Sequence, residues 1–440
     1  MTYVSLTDAD RAEMLKTIGV SSVEELFRDV PKGVRLARSL DLGDPLSEQE
    51  IVERLAALAA KNRPAGEETS FLGAGIYDHY VTAIVDAILE RGEFLTAYTP
   101  YQPEMSQGVL QALFEYQTVI CELTGMDVSN ASGYDGTTVA ADACYIAKHA
   151  TGRTKVVLAE SLNPQVRQVV RTYAPGFGLD VVDVPHRDGV TDPDELRAAA
   201  EDAACVIFQQ PNFFGCLEAA PDLASAATDA GALPVAHVDP VSLGVLEAPG
   251  AYGCAIAIGE GQGAGNPISF GGPHYGFIAA REEFTRRMPG RIVGETTDVD
   301  GQRGYVLTLQ TREQHIRREK ATSNITTNQT LLALGGLIQL CWLGPQGLRE
   351  LGATCMALAE YAKERVGLPL VFPEQITFKE FAIRVGRPAV EVIRESRAKG
   401  IHPGYPLGRD YEGMDDVLLV AVTERRAPED IEALAEVLAA

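Results

Sequence analysis

The chain has 440 residues and a formal net charge of −23, with 46% hydrophobic and 22% charged residues. This composition excludes an intrinsically disordered chain, and the length suits one to three domains with a sizeable core. The negative charge argues against nucleic acid and membrane as partners, because its long-range field repels both; adaptation to a salty cytoplasm is the simplest origin of such acidity.

Seven cysteines are spread through the chain, without a C-x-x-C pair. This pattern predicts reduced, buried thiols instead of a disulfide framework, and the histidines form no metal-binding spacing. The amino terminus has neither a basic region nor an apolar run, and no stretch approaches the roughly 20 apolar residues of a membrane span. We therefore expect a cytoplasmic protein with no metal site.

The first 65 residues are predicted to form a helical N-terminal arm that serves packing or dimer contacts. In three places a carboxylate follows a hydroxyl by three positions, which is the capping signature of a helix start: Thr7 with Asp10, Ser21 with Glu24 and Ser47 with Glu50.

Residues 66–325 are predicted to form a large α/β domain, because short apolar runs alternate with helical segments, as in a mostly parallel sheet covered on both faces. The predicted strands cover residues 156–159, 181–184, 205–208, 234–238, 254–258 and 275–279. Residues 326–440 are predicted to form a small C-terminal α/β domain. This order of elements is that of fold-type-I pyridoxal-phosphate enzymes of the aspartate-aminotransferase kind, although other folds share it.

Two loops have compositions that packing does not require. Residues 99–108 combine two prolines with aromatic and polar side chains, which suits either a rigid site-lining loop or a structural turn before a helix. Residues 130–143 run from a small, glycine-rich loop into an alanine-rich helix, and the amides of such a helix start favour a phosphate. Asp135 would repel that anion, so a plain capped helix start fits equally well.

Two further segments follow predicted strands. Asp239 lies at the carboxyl end of a strand, where ligands bind in parallel α/β sheets, and in pyridoxal enzymes an aspartate here pairs with the pyridine nitrogen. A turn-forming Asp-Pro is the alternative. The glycine-rich run 259–274 nominally fits a dinucleotide fingerprint, but Pro267 and Glu260 exclude that function. Close backbone approach, at a subunit contact, is the better interpretation.

Together these segments resemble the glycine cleavage system P-protein family, and within it the amino-terminal-half chain of the two-chain form. The matching stretches are residues 98–108, 131–136, 210–215, 238–244, 259–262, 270–273, the run Pro289-Gly-Arg-Ile-Val-Gly-Glu-Thr, and the run from Leu307 to Asn324. The resemblance spans nearly the whole chain.

The resemblance implies a Schiff-base lysine some 20–30 residues past the aspartate, in the window 259–270, yet no lysine occurs between Lys155 and Lys320. No catalytic residue is therefore predicted in this chain, and the lysine and the covalently held pyridoxal phosphate are expected on the partner subunit. Ser132, Asp135, Gly136, Asn212 and Asp239 become candidates for a degenerate or interfacial cofactor site.

Fold-type-I dimers build each active site at the subunit boundary, so this chain is expected to contribute residues to the pocket of its partner. The candidates are Tyr98, Thr99, Tyr101, Glu104, His315, Arg318, Thr322, Ser323 and Asn324. The resemblance implies an α2β2 assembly that decarboxylates glycine and transfers the aminomethyl group to the lipoyl arm of H-protein. Arg318 is a candidate to orient a carboxylate, although Arg312, Arg317, Arg318 and Lys320 also suit a solvated or interface-spanning charged helix.

Two alternatives remain at this stage. The first is a self-sufficient pyridoxal enzyme with a displaced lysine, for which Lys320 is the candidate. The second is a non-catalytic scaffold, in which substitutions at Tyr101 and His315 leave the rate of the complex unchanged.

Overall fold

The computed structural model of the chain describes residues 5–36, 38–96, 98–321, 323, 325 and 328–439. The chain divides into two compact units, Met1–Arg63 and Pro64–Ala440. The further division of the second unit at residue 325 stays a prediction.

The described residues of the first unit include the helices α1 (Asp8–Ile18) and α2 (Glu48–Ala59), and each begins with a reciprocal capping box. Thr7 caps α1 and Ser47 caps α2, as the sequence predicts. The third predicted box is wrong, because Ser21 bonds to Glu25 and a short 3-10 helix, Val23–Phe27, begins there without a side-chain cap.

The second unit alternates strands and helices over most of its length. Its helices are α3 (Ala83–Leu89), α4 (Gln107–Thr124), α5 (Thr138–Thr151), α6 (Pro164–Phe177), α7 (Pro193–Ala199), α8 (Ala220–Asp229), α9 (Gln314–Arg317), α10 (Thr330–Val366), α11 (Ala389–Ala398) and α12 (Pro428–Ala439). Its strands are β1 (Thr69–Ser70), β2 (Val128–Ser129), β3 (Lys155–Ala159), β4 (Asp180–Val184), β5 (His186–Arg187), β6 (Val190–Thr191), β7 (Ala203–Gln210), β8 (Leu233–Val238), β9 (Ile256–Glu260), β10 (Gly276–Ala280), β11 (Ile292–Thr297), β12 (Arg303–Thr308), β13 (Glu380–Arg384), β14 (Ile401–His402), β15 (Tyr405–Pro406) and β16 (Val417–Ala421).

The main sheet has seven strands in the order β2-β10-β9-β8-β7-β3-β4. The strands from β9 to β4 run parallel, and β10 is antiparallel to both of its neighbours. All six predicted strands are therefore confirmed. Alternate residues of β3 belong to different hydrophobic clusters, with Val157 in one and Val156 and Leu158 in the other, so both faces of the sheet are buried.

A smaller antiparallel sheet, in the order β13-β16-β15, follows the long helix α10. One side of this sheet packs on α10, α11 and α12, through residues such as Ala359, Val392 and Leu434. Helix α10 has the length and apolar composition of a membrane span, but its backbone leaves the helical region at Gly344, and Ala333, Leu337 and other residues along it are buried in the fold. It serves as a core helix that connects the two sheets.

Candidate functional site

Asp239 directly follows β8, near the middle of the main sheet, at the edge where the parallel strands end. Its Oδ1 accepts a hydrogen bond of 3.0 Å from the amide of Val241. In this position the other carboxylate oxygen, Oδ2, is directed to a partner other than the local backbone. One oxygen of Asp239 thus stabilises the turn after β8, and the other is available to a charged group of a possible site.

That partner is Lys379, a residue that no sequence pattern placed here. Its Nζ lies 2.6 Å from Oδ2 of Asp239, and the side chain is only 2% exposed. Lys379 immediately precedes β13 of the small sheet, so it reaches Asp239 from a segment 140 residues further along the chain. Lys320, the lysine considered as a displaced Schiff-base residue, is exposed.

A second group of buried side chains surrounds the ammonium of Lys379. Nε2 of His79 lies 2.9 Å from Nζ, and the ring centroid of Tyr77 lies 3.5 Å from it. Nδ1 of His79 lies 2.7 Å from Oε2 of Glu424. Burial, assisted by the charge of Lys379, lowers the pKa of His79, so the neutral imidazole accepts from the ammonium and donates to the carboxylate.

The glycine-rich loop before α5 lies at the same edge of the sheet. Oδ1 of Asp135 accepts hydrogen bonds of 2.9 and 2.8 Å from the amides of Thr137 and Thr138. Ser132 is fully buried, and its hydroxyl accepts from the amide of Gln329. Asp135 therefore caps the start of α5 from within the chain, which fits the expectation that it would keep a phosphate away.

The amide of Gly136 is also occupied. It donates a hydrogen bond of 2.9 Å to Oε2 of Glu260, whose other oxygen accepts from the amide of Gln262. A Cβ on Gly136 would lie 2.7 Å from the nitrogen of Glu260, so only glycine permits this approach. Burial raises the pKa of Glu260 to about 8. Sequence reasoning noted Glu260 only as the wrong charge for a dinucleotide.

Asn212 serves the fold. Its amide nitrogen donates to the carbonyl of Gly189 and to Glu218, and its oxygen accepts from the amides of Phe214 and Cys216. These four bonds use the full hydrogen-bonding capacity of an asparagine side chain, so none remains for a ligand.

These residues do not fit pyridoxal phosphate. The cavity between Asp239, Lys379, Tyr77 and their neighbours has a volume of about 20 Å³. Such a space holds about one water molecule, whereas the pockets that bind small-molecule ligands have volumes of about 300 Å³ or more. The carboxylate that would pair with the pyridine nitrogen is paired with an ammonium, and an amide that would hold the phosphate is bound to a carboxyl group.

A second cluster brings together two of the predicted boundary segments. The ring of Tyr101 lies edge-on to Tyr98, with centroids 6.0 Å apart, and edge-on to His315, with centroids 5.9 Å apart. Tyr98 and Tyr101 are 69% and 42% exposed. Large aromatic side chains that remain this exposed are typical of an interaction surface. We call Tyr98, Tyr101 and His315 the aromatic cluster.

Two buried charges hold the aromatic cluster in place. Nη2 of Arg291 donates a hydrogen bond of 2.8 Å to the hydroxyl of Tyr101, and its guanidinium carbon lies 5.4 Å from the centre of that ring. Arg291 also forms an ion pair with Glu313, and both side chains are almost fully buried. Glu313 in turn lies 3.4 Å from Nδ1 of His315. Neither Arg291 nor Glu313 was singled out from the sequence.

Arg318 and Ser323 lie elsewhere, at a cavity of about 330 Å³ beside α5. Asp142 and Tyr145 line the same cavity, and burial raises the pKa of Asp142 to about 7, although a hydrogen bond with Ser323 opposes the shift. Arg318 forms no ion pair with any residue that the structure describes. Asp142 and Glu319 line the same cavity as Arg318.

The remaining boundary candidates are divided. Thr99 is buried next to the exposed tyrosines, and Glu104 is exposed on the 3-10 helix Pro103–Met105. Thr322 and Asn324 lie outside the described residues. The expectation of a charged helix is wrong for Arg312, which is buried and donates to the carbonyls of Leu309 and Gly290. Helix α9 itself spans only four residues.

The sheet order, with an aspartate at the end of β8 and a glycine-rich loop before α5, defines a chain of the fold-type-I pyridoxal-phosphate class. Solved structures agree: a cysteine desulfurase from Thermococcus onnurineus superposes with a TM-score of 0.61 at 16% identity, covering 87% of this chain and 96% of that one. At that identity the likeness concerns the fold alone.

The closer relatives are more specific. The family model described as "Glycine cleavage system P-protein" matches residues 1–438. The probable glycine dehydrogenase (decarboxylating) subunit 1 of Moorella thermoacetica is 51% identical over 438 residues, which cover 99% of this chain and 98% of that protein. A crystal structure of glycine decarboxylase (P-protein) of the glycine cleavage system, in inhibitor-bound form, gives a TM-score of 0.91 at 45% identity, covering 100% of this chain and 99% of that one. The chain belongs to the glycine cleavage system P-protein family.

Proposed function

We propose that this chain is the subunit of a two-subunit glycine decarboxylase that lacks the Schiff-base lysine and completes the active site of a lysine-bearing partner. The reaction of the complex requires pyridoxal phosphate, as its family and fold class indicate. We place that cofactor on the partner, because the cavity beside Asp239 and Lys379 has room for about one water molecule. The naming of relatives as "subunit 1" supports the existence of a second subunit.

The observation that carries the proposal is the exposed aromatic cluster held by buried charges. The hydroxyl of Tyr101 accepts its hydrogen bond from Arg291, so the proton of that hydroxyl is free to be donated outward. Nδ1 of His315 faces Glu313, which leaves Nε2 as the outward nitrogen. The hydroxyl of Tyr101 is therefore a donor on a rigid support, which suits a small carboxylate such as that of glycine, and Nε2 of His315 is a second polar atom beside it.

The other features of the proposal follow from the family. The partner is the lysine-bearing subunit, the assembly is α2β2, and the aminomethyl group is passed to the lipoyl arm of H-protein. We also propose a cytoplasmic location, which the seven free cysteines support. Arg318 is proposed as a cation at the subunit boundary, since it lines a cavity of about 330 Å³ and forms no ion pair with a described residue.

Reconstitution with the partner tests the role of the aromatic cluster. Tyr101→Phe keeps the ring and its edge-on contacts but removes the hydroxyl, and we expect the rate of glycine-dependent carbon dioxide exchange to fall by roughly 10-fold or more, as for loss of a substrate-orienting hydrogen bond. His315→Ala is expected to have an effect of similar size. The matched control is Tyr361→Phe, which removes a hydroxyl that bonds to Glu432, far along α10.

Unchanged exchange rates in both cluster variants, with normal assembly of the complex, would instead favour the non-catalytic scaffold. Exchange by this chain in the absence of any partner would overturn the proposal altogether. Reduction with borohydride distinguishes the displaced-lysine alternative, because it would leave the cofactor attached to Lys320.

A further inference from the structure

We propose that this chain fills its own cofactor site: the ammonium of Lys379 takes the place of the pyridinium on Asp239, and Glu260 takes the place of the phosphate on the amide of Gly136. The subunit then folds and functions without pyridoxal phosphate of its own. This inference rests on the fold class and on the contacts at the end of β8. It does not depend on the role proposed for the aromatic cluster, so the two can fail separately.

The cationic end of the site is occupied by Lys379. A lysine ammonium has three protons to donate, and Lys379 faces three acceptors: the carboxylate of Asp239 at 2.6 Å, the imidazole of His79 at 2.9 Å and the ring of Tyr77 at 3.5 Å. A protonated pyridine nitrogen would place its positive charge against the same carboxylate. The carboxylate of Asp239 is therefore already neutralised by a cation of the same chain.

His79 has a structural task in this arrangement. Its Nε2 contacts the ammonium of Lys379 and its Nδ1 contacts the carboxylate of Glu424, so the imidazole links the ammonium to a second carboxylate. Cys355 lies close enough for His79, Cys355 and Glu424 to suit a metal ion by distance alone. An ammonium 2.9 Å from the imidazole would repel such an ion, and both nitrogens are already engaged, so we assign these residues to holding Lys379.

The anionic end is occupied in the same manner. The amides of Gly136, Thr137 and Thr138 are the donors that a phosphate would use, and they bond to Glu260 and Asp135. Glu260 occupies the amide of Gly136 whether or not its carboxyl group is ionised, because both forms offer an acceptor oxygen. A phosphate would have to displace a buried side chain and then lie beside Asp135.

Lys379 is also wrongly placed to act as a Schiff-base lysine. It contacts the carboxylate that would hold the pyridine nitrogen, whereas an aldimine lysine must reach the carbon on the opposite side of the ring. Because Lys379 precedes β13, the ion pair also ties the small sheet to the edge of the main sheet. A loose ligand would not supply that connection.

A double-mutant cycle tests the ion pair in the isolated full chain. Lys379→Met and Asp239→Asn each leave one buried charge without its partner, and we expect each to raise the unfolding equilibrium constant by on the order of 100-fold in urea. The double variant Lys379→Met/Asp239→Asn removes both members of the ion pair, and we expect it to recover most of that loss. A double variant that is as unstable as the sum of the single variants would overturn the proposal.

Cofactor binding provides a readout that does not depend on these variants. The wild-type chain, incubated with pyridoxal phosphate and dialysed, is expected to retain none by absorbance and to show no shift in melting temperature. The complex is expected to hold one cofactor for each pair of different chains. Two cofactors per pair, or retention by the chain alone, would overturn the filled site, and neither result would affect the Tyr101 test.

Discussion

Replacing Arg291 by methionine is expected to separate the stability of the aromatic cluster from its function. The substitution keeps most of the apolar stem but removes the charge that pairs with Glu313 and the donor to Tyr101. Removing one partner of a buried ion pair typically costs about 3–5 kcal/mol. The lower end applies here: burial raises the pKa of Glu313, but Arg312 and His315 oppose that shift and so compensate in part for the lost cation.

We therefore expect Arg291→Met to lower the free energy of unfolding by about 3 kcal/mol, measured by urea denaturation followed by circular dichroism. The double variant Arg291→Met/Glu313→Gln removes both buried charges, and its stability should return most of the way to that of the wild type. Its exchange activity with the partner should not return, because Tyr101 still lacks the donor that fixes its hydroxyl.

If Arg291→Met unfolds at the same urea concentration as the wild type, the ion pair between Arg291 and Glu313 does not stabilise the fold as expected. If the double variant regains both stability and activity, Tyr101 does not depend on Arg291. Measuring both quantities on the same preparations is essential, because a destabilised subunit can lose activity through poor assembly alone.

Two further substitutions test the buried groups around α5. Burial raises the pKa of Asp142 from 3.8 to about 7, so between these pH values the folded state binds an extra proton and loses stability as the pH rises. Asp142→Asn should therefore stabilise the chain by up to about 4 kcal/mol near pH 8 and by almost nothing near pH 4. An equal effect at both pH values would refute the raised pKa of Asp142. Gly136→Ala should destabilise it by about 1–3 kcal/mol, because the new Cβ would lie 2.7 Å from the backbone nitrogen of Glu260. The matched control is Gly176→Ala on the exposed side of α6, where an added Cβ would have no other atom within 4 Å. This substitution should stabilise the chain by up to about 1 kcal/mol. Similar losses of stability in both variants would contradict the steric explanation.

The sequence predicted the main sheet well, because its strands are continuous apolar runs that are buried on both faces. The strand β8 and the position of Asp239 after it follow directly from that pattern. The loop 99–108 was also recognisable as unusual, since it combines two prolines with aromatic and polar side chains that packing does not require; its place at a subunit boundary stays a prediction. These features are local, so a local pattern reveals them.

The charges that fill the site were not predictable in the same way. Lys379 lies in an ordinary strand-forming stretch, and only the packing of the small sheet brings it to Asp239. Arg291 and Glu313 likewise meet through the tertiary fold. Glu260 was the nearest to a local signal, because it ends the strand beside β8. Contacts between distant segments depend on how the helices and strands pack, and the periodicity of the sequence does not reveal that packing.

A lysine that belongs to the chain cannot be removed by dialysis, by a competing amine or by a shortage of vitamin B6. In a cell short of that vitamin, the lysine-bearing subunit would wait for its cofactor, while this subunit would already have its ammonium on Asp239. On the proposed division of roles, this chain would be ready first, and the supply of the vitamin would limit only its partner.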